Sequence, residues 1–250
     1  MAQMMRTSNP ALNGEVFRNE AVGAFGERMT IDGTVNKAGV LLICVVLSAA
    51  FTWNLFMQSR NPASVLPLVL VGAIGGLVFA IVTVFKKTWA PITAPVYALL
   101  EGLVLGGASA MFEVRFPGIA IQAVSLTLGT LVVLLLAYRS RLIPVTQNFR
   151  LGVVAATGGI FVVYLVTMVL GFFGVHFTSL YGSGLLGIGF SLFVVVVAAL
   201  NLVLDFDFIE IGARMGAPKY MEWYGAFGLM VTLIWLYFEI LRLLAKLRER

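Results

Sequence analysis

The chain has 250 residues, of which 60% are hydrophobic and only 12% charged, and its formal net charge is +5. Soluble domains usually contain about 45–50% apolar and about 25% charged residues. This composition excludes a soluble enzyme, a nucleic-acid-binding domain and a disordered regulator, and it predicts an all-α integral membrane protein. A single cysteine, Cys44, excludes a disulfide framework, and a single histidine, His176, excludes zinc sites that need two histidines.

The first 34 residues form a polar segment that precedes the apolar part of the chain. Turn-forming residues are frequent in "MAQMMRTSNPALNGE", which shows no hydrophobic period. The segment also lacks the apolar region of a signal peptide, so we expect no cleavage. The sequence therefore predicts a partly disordered arm at residues 1–34 and a transmembrane helical bundle with a short basic C-terminal tail at residues 35–250.

Seven stretches are long and apolar enough to cross a bilayer, which takes about 20 mainly apolar residues per helix. The third stretch is the weakest, because it is short and contains Glu101. Glycine pairs at four-residue spacing, in the second and third stretches, predict close helix packing. The sequence thus predicts a seven-transmembrane-helix bundle. Its predicted spans are 35–57, 64–84, 94–111, 119–138, 151–173, 184–204 and 224–244.

Lysine and arginine near the span ends indicate the orientation of the chain. More of them flank the N-terminal side of the bundle than the opposite side. The positive-inside rule therefore predicts a cytoplasmic N-terminus, although the basic C-terminal tail then falls on the outer side of seven spans. Because the spans are helical, we expect the cell inner membrane as the location. The basic residues lie in short loops, so we expect no nucleic-acid partner.

Ionisable residues within the spans are the candidate functional residues, since each costs about 2.5–3.5 kcal/mol on insertion scales. Glu101 lies midway along the third span, in "VYALLEGLVLGG", and Asp205 and Asp207 close the sixth. Glu239 lies near the end of the seventh span, one turn before Arg242. No lysine or arginine is expected comparably deep. Buried acids of this kind need protons, metal cations or hydroxyl donors, which favours a cation or proton path.

Each of these acids also has a purely structural interpretation. Asp205 and Asp207 are equally compatible with solvation at the membrane interface, and their spacing of two predicts that they face different sides of a helix. For Glu239, an interfacial ion pair with Arg242 is favoured over a role in transport. Glu101 has no local partner, and it is therefore the strongest candidate for the bundle interior.

No pattern in the sequence indicates catalysis, and we expect neither an enzyme nor a cofactor. Ser183, in "YGSGLLG", follows His176 by seven residues, but the glycines between them predict a turn and not a serine–base pair. An intramembrane aspartyl protease needs aspartates on two helices, whereas both aspartates here share one. No phosphate-binding glycine loop occurs.

Four short segments, taken in order, carry a resemblance to a known family. They are "MTIDGTVNKAGVLL", "YALLEGLVLGGAS", "LNLVLDFDFIEIG" and "LYFEILRLL". From about residue 29 to residue 244, the chain resembles the Bax inhibitor family (transmembrane Bax inhibitor motif proteins), and specifically a bacterial branch of it. The resemblance implies a seven-helix bundle with the last helix near the centre, and a pH-sensitive calcium leak as the activity.

The resemblance also implies site residues. In the family, an aspartate that ends the sixth helix and another in the seventh form a pH-sensing latch. The first corresponds to Asp205, with Ile209 four positions later, which implies a transient calcium site at Asp205. Counted back from Arg242, the second corresponds to Thr232. A threonine can hydrogen-bond a carboxylate, but it cannot share a proton between two acids.

Two functional hypotheses from different classes follow. The first is a cation leak for calcium or protons, in which Glu101 and Asp205 line or gate the path and protonation opens it. Asp207, Glu239 or Glu101 then substitutes for the missing latch aspartate. The second is a non-transporting membrane partner that modulates a membrane quality-control protease or a stress response through the N-terminal arm. A third hypothesis is a bundle with a purely structural role. The cation leak is favoured over the partner function.

Overall fold

The computed structural model of the chain describes residues 28–174 and 182–250. Within these residues the fold is all-α, with seven helices that are each long and apolar enough to cross a membrane. This confirms the predicted fold class. The helices are α1 Ile31–Ser59, α2 Pro62–Phe85, α3 Ala90–Arg115, α4 Ile119–Arg139, α5 Gln147–Phe172, α6 Leu185–Arg214 and α7 Met221–Arg248, with a 3₁₀ turn Lys87–Trp89 between α2 and α3.

Three helices begin at polar residues that cap their first turn. The side chains of Thr30, Asn61 and Thr146 accept hydrogen bonds of 3.0, 3.0 and 3.2 Å from backbone N–H groups of α1, α2 and α5. Such residues satisfy N–H groups that have no partner within the helix. The caps at Thr30 and Thr146 start α1 and α5 four residues before the predicted spans, because hydropathy does not register a polar first turn.

Helix α6 differs most from its predicted span, since it continues to Arg214, ten residues beyond the predicted end at residue 204. The helix therefore continues past Asp205 and Asp207, the two residues that close the predicted sixth span. Hydropathy falls at these aspartates, but buried Phe206, Phe208 and Ile209 continue the packed side of the helix. The two aspartates therefore lie within α6, the longest of the seven helices, and not at its C-terminal end.

Helices α1 and α3 approach each other closely at glycines of α3. A Cβ atom placed on Gly106 would lie 2.8 Å from the Cα atom of Ala49 in α1, and one on Gly102 would collide with the Ser48 side chain. Helix α2 meets α3 in the same way, because a Cβ on Gly72 would lie 2.5 Å from the Leu100 carbonyl oxygen. Small residues at this spacing let backbones pack tightly inside a bilayer.

The last helix lies at the centre of the bundle. Helix α7 buries 18 of its 28 residues and contacts α1, α3, α4 and α6. Its fully buried side chains Tyr224, Phe227, Met230 and Leu236 form much of the main core. The central position implied by the resemblance is confirmed. Helix α5 is the opposite case, since it buries only two of its 26 residues.

Candidate functional site

The centre of the candidate site is a buried carboxyl group on α6. Asp205 is 1% exposed, and neither of its carboxylate oxygens has a hydrogen-bond partner among the described residues. Its position in the tightly packed part of α6 excludes the alternative in which it is solvated at the interface. A carboxylate held away from water without a partner is costly, and such groups mark sites where a proton or a cation supplies the compensation.

The seventh helix presents a hydroxyl group to this carboxyl. The Thr232 side chain lies beside Asp205, at the position where the family resemblance places the second latch residue. The Thr232 hydroxyl donates to the Gly228 carbonyl oxygen within α7, at 3.3 Å, which is long for an O–H···O bond. The structure therefore brings Asp205 and Thr232 together without a well-formed hydrogen bond between them.

A second buried polar group without a partner lies farther along the contact of α6 with α7. Tyr224 is fully buried, and its hydroxyl has no hydrogen bond within the part of the chain that the structure describes. Its ring lies 6.4 Å from that of Phe208. Nearby, a Cβ atom on Gly225 would lie 3.2 Å from the Ile209 side chain, so the two helices pack closely one turn beyond Asp205.

Asp207 belongs to a different contact. Its carboxylate is bound by Arg150 of α5 at 2.7 Å, and both side chains are about one-fifth exposed, at 17% and 20%. The two aspartates therefore face different helices, as their spacing predicted. The ion pair already balances Asp207, so this residue is not placed to replace the missing second acid opposite Asp205.

Glu239 lies in a polar cluster between α5 and α7. It is 2% exposed, and it accepts hydrogen bonds from Arg242 and the Tyr164 hydroxyl at 3.0 Å and from the Trp235 indole N–H at 3.3 Å. The predicted ion pair of Glu239 with Arg242 is present, at 3.0 Å, and Tyr164 of α5 joins it. Lys246, in the last turn of α7, is 4% exposed and donates to a backbone carbonyl of α6.

Glu101 lies on another surface of the bundle, between α2 and α3. It is half-buried, and a Cβ atom on Gly76 of α2 would lie 2.8 Å from its Oε1 atom. One turn earlier, the Tyr97 ring packs edge-on against Phe227 of α7 at 4.9 Å. The structure does not join Glu101 to Asp205, which faces Thr232 instead.

One further buried acid, Glu222 in the first turn of α7, was not among the predicted candidates. It is fully buried, and its Oε1 atom accepts 2.8 Å hydrogen bonds from both the backbone N–H and the hydroxyl of Thr30. Lys37 of α1 forms an ion pair with it, and Lys219 lies 3.4 Å away. A Cβ atom on Gly33 would collide with the carboxyl group. Glu222 precedes the predicted seventh span, so no rule about charges in spans singled it out.

Two other kinds of site considered from the sequence are a metal site and a Ser183–His176 pair. Within residues 28–174 and 182–250, no group of three or more His, Cys, Asp or Glu side chains is placed to hold a metal ion. Calcium takes six to eight oxygen ligands, whereas Asp205, 1% exposed, supplies two carboxylate oxygens. Ser183 lies in the turn before α6, and His176 lies outside the described residues.

Comparison with known proteins gives one match. A family model described as Bax inhibitor 1 like matches residues 9–249, nearly the whole chain. The matched range includes all seven helices, and with them Asp205 on α6 and Thr232 on α7. No curated protein and no solved structure matches the chain.

Proposed function

The chain belongs to the Bax inhibitor 1 like family, and from that premise we propose that it is a pH-sensitive cation leak, with calcium as the conducted ion. The observation that carries the proposal is the Asp205 carboxyl group, which is 1% exposed and has no partner among the described residues. Asp205 gates the path in this proposal, and Thr232 is its neighbour on the central helix. The conducting unit is the seven-helix integral membrane bundle.

Charge compensation supports Asp205 as the gate. Several other acids at the helix contacts already have a basic partner: Asp207 is paired with Arg150, Glu239 with Arg242 and Glu222 with Lys37. The charges of these carboxylates are therefore compensated within the protein. Asp205 has no such basic partner among the described residues, so a proton or a cation compensates its charge.

In this proposal, protonation opens the path by loosening the contact between α6 and α7. A charged carboxylate attracts a hydroxyl donor more strongly than a neutral carboxyl does, so ionised Asp205 draws Thr232 and α7 toward α6. Protonation removes this attraction and loosens the contact between the two helices. The leak is therefore expected to increase as the pH falls.

Two further features complete the proposal. Glu101, half-buried between α2 and α3, provides a second carboxyl group along the path. The protein lies in the cell inner membrane with its N-terminus in the cytoplasm. In this orientation the exposed residues Lys86, Arg139 and Arg141 are also on the cytoplasmic side.

Calcium flux into liposomes tests the proposal. The protein is reconstituted with a calcium dye inside, and influx is followed between about pH 6 and about pH 8, beside Asp205→Asn and Glu101→Gln. We expect Asp205→Asn to lose the pH dependence of the flux. We expect Glu101→Gln to lower the flux at every pH and to keep its pH dependence. The matched control is Asp32→Asn, which removes an exposed acid in the first turn of α1. Identical influx into protein-containing and empty liposomes contradicts the leak.

A second candidate function is a partner for a membrane quality-control protease or a stress response. One structural observation favours it: the end of the predicted arm is fixed to the bundle, since the Met29 N–H donates to the Ala217 carbonyl oxygen at 2.7 Å and Met29 is 2% exposed. These last residues of the arm therefore lie beside the α6–α7 loop. Residues 1–27 themselves lie outside the described residues.

Truncation separates the two functions. Deletion of residues 2–27 stops before the fixed residues Arg28 and Met29, so the bundle should keep its fold. We expect the deletion to leave calcium flux unchanged and to abolish any effect on the partner protease in cells. Loss of flux on deletion would contradict this division of roles.

A further inference from the structure

Helix α5 is attached to the rest of the bundle differently from the other helices. Of its 26 residues only Val153 and Ile160 are buried. Ile160 packs with Val194 and Val197 of α6 in a small cluster that is separate from the main core. Inside a bilayer, lipid tails are as apolar as leucine, so apolar side chains gain little by leaving lipid for protein. Apolar packing alone therefore holds α5 only weakly.

Polar contacts supply the attachment, and they recur every seven residues. Arg150 binds Asp207 at 2.7 Å, Thr157 accepts from Asn201 of α6 at 2.8 Å, and the Tyr164 hydroxyl donates to Glu239 at 3.0 Å. We name these three contacts the polar anchors. Seven residues are nearly two turns of helix, so the anchors form one stripe, with buried Val153 and Ile160 between them.

The glycines of α5 distinguish it from the tightly packed helices. Cβ atoms placed on Gly152, Gly158, Gly159 and Gly171 would meet nothing within 4 Å. These glycines therefore do not serve close packing, unlike those of α3. Glycine in a helix interior weakens the helix, so their effect is to make α5 easier to deform.

We propose that α5 is a displaceable gate helix, held against α6 and α7 in the closed state by the three polar anchors. This inference rests on the proposed leak, because two of the anchors end on Asn201 and Asp207, the residues that bracket Asp205 along α6. Displacement of α5 uncovers this segment of α6. The movement breaks the three polar anchors, and α5 contributes no residue to the main core.

A reversible cross-link tests whether α5 must move. The chain has one cysteine, so Cys44→Ser gives a clean background. Thr157→Cys with Asn201→Cys places two thiols where side-chain atoms now lie 2.8 Å apart. We expect oxidation to abolish calcium flux and reduction to restore it. The matched control is Thr83→Cys with Thr93→Cys, whose hydroxyls lie 2.7 Å apart and join α2 to α3. Its oxidation should leave the flux unchanged.

A distance measurement gives a second readout that does not depend on transport. Nitroxide labels are placed at Phe161 of α5 and Ile74 of α2, which are 64% and 65% exposed. In the anchor variant Thr157→Val with Tyr164→Phe, we expect the label distance to lengthen or its distribution to broaden. An unchanged distribution, or flux that survives oxidation of the α5–α6 cross-link, would overturn the proposal. A wild-type protein that passes no calcium contradicts the leak, while the label distances still decide whether α5 moves.

Discussion

At the scale of single residues, Asp205 differs from the other buried acids in its surroundings and not in its depth. Glu222 and Glu239 are as deeply buried, but each accepts several hydrogen bonds and has a basic partner. Asp205 lies beside the Thr232 side chain, and its oxygens have no well-formed hydrogen bond from the described residues. A single carboxyl group binds one proton, whereas two coupled carboxyl groups titrate in two steps.

The substitution Thr232→Asp should therefore change the form of the pH dependence. It places a second carboxyl group opposite Asp205, and we expect the apparent number of protons that control calcium flux to increase from about one to about two. The measurement is liposome flux at closely spaced pH values. The control is Thr232→Ser, which keeps the hydroxyl group and should keep the number at one. Equal proton numbers for Thr232→Asp and wild type would rule out Thr232 as the second latch position.

At the scale of elements, the contact between α1 and α3 depends on glycine. We expect Gly106→Ala to destabilise the protein by about 1–3 kcal/mol, because its Cβ atom would meet the Ala49 backbone, which cannot move aside as a side chain can. The measurement is the thermal unfolding midpoint in detergent. The matched control is Gly129→Ala on α4, where a Cβ atom meets nothing within 4 Å. Alanine favours helix there, so its midpoint should stay equal or increase. An equal loss in both variants would contradict the packing argument.

At the scale of the whole molecule, Glu222 joins the first helix to the last. Lys37 and Glu222 are 185 residues apart in sequence, and the Glu222 side chain is fully buried while Lys37 is 18% exposed. Removing Lys37 leaves the buried carboxylate with Lys219, at 3.4 Å, as its remaining basic partner, so we expect Lys37→Met to cost about 1–3 kcal/mol. The double variant Lys37→Met with Glu222→Gln should recover part of that loss. A double-mutant cycle on unfolding measures the coupling, and additive losses would show that the pair does not join the helices.

The sequence by itself determined the number and class of the helices, because the bilayer requires long apolar stretches and each stretch is visible locally. It also determined that Asp205 and Thr232 are the positions to compare, through the resemblance of whole segments. Only the tertiary structure decided which acids are compensated. Arg150 and Asp207 are 57 residues apart, and Tyr164 and Glu239 are 75 apart, so no local pattern predicts either contact. Helix α6 continues past its predicted span for the same reason: hydropathy measures the preference for lipid, whereas Asp205 is surrounded by protein.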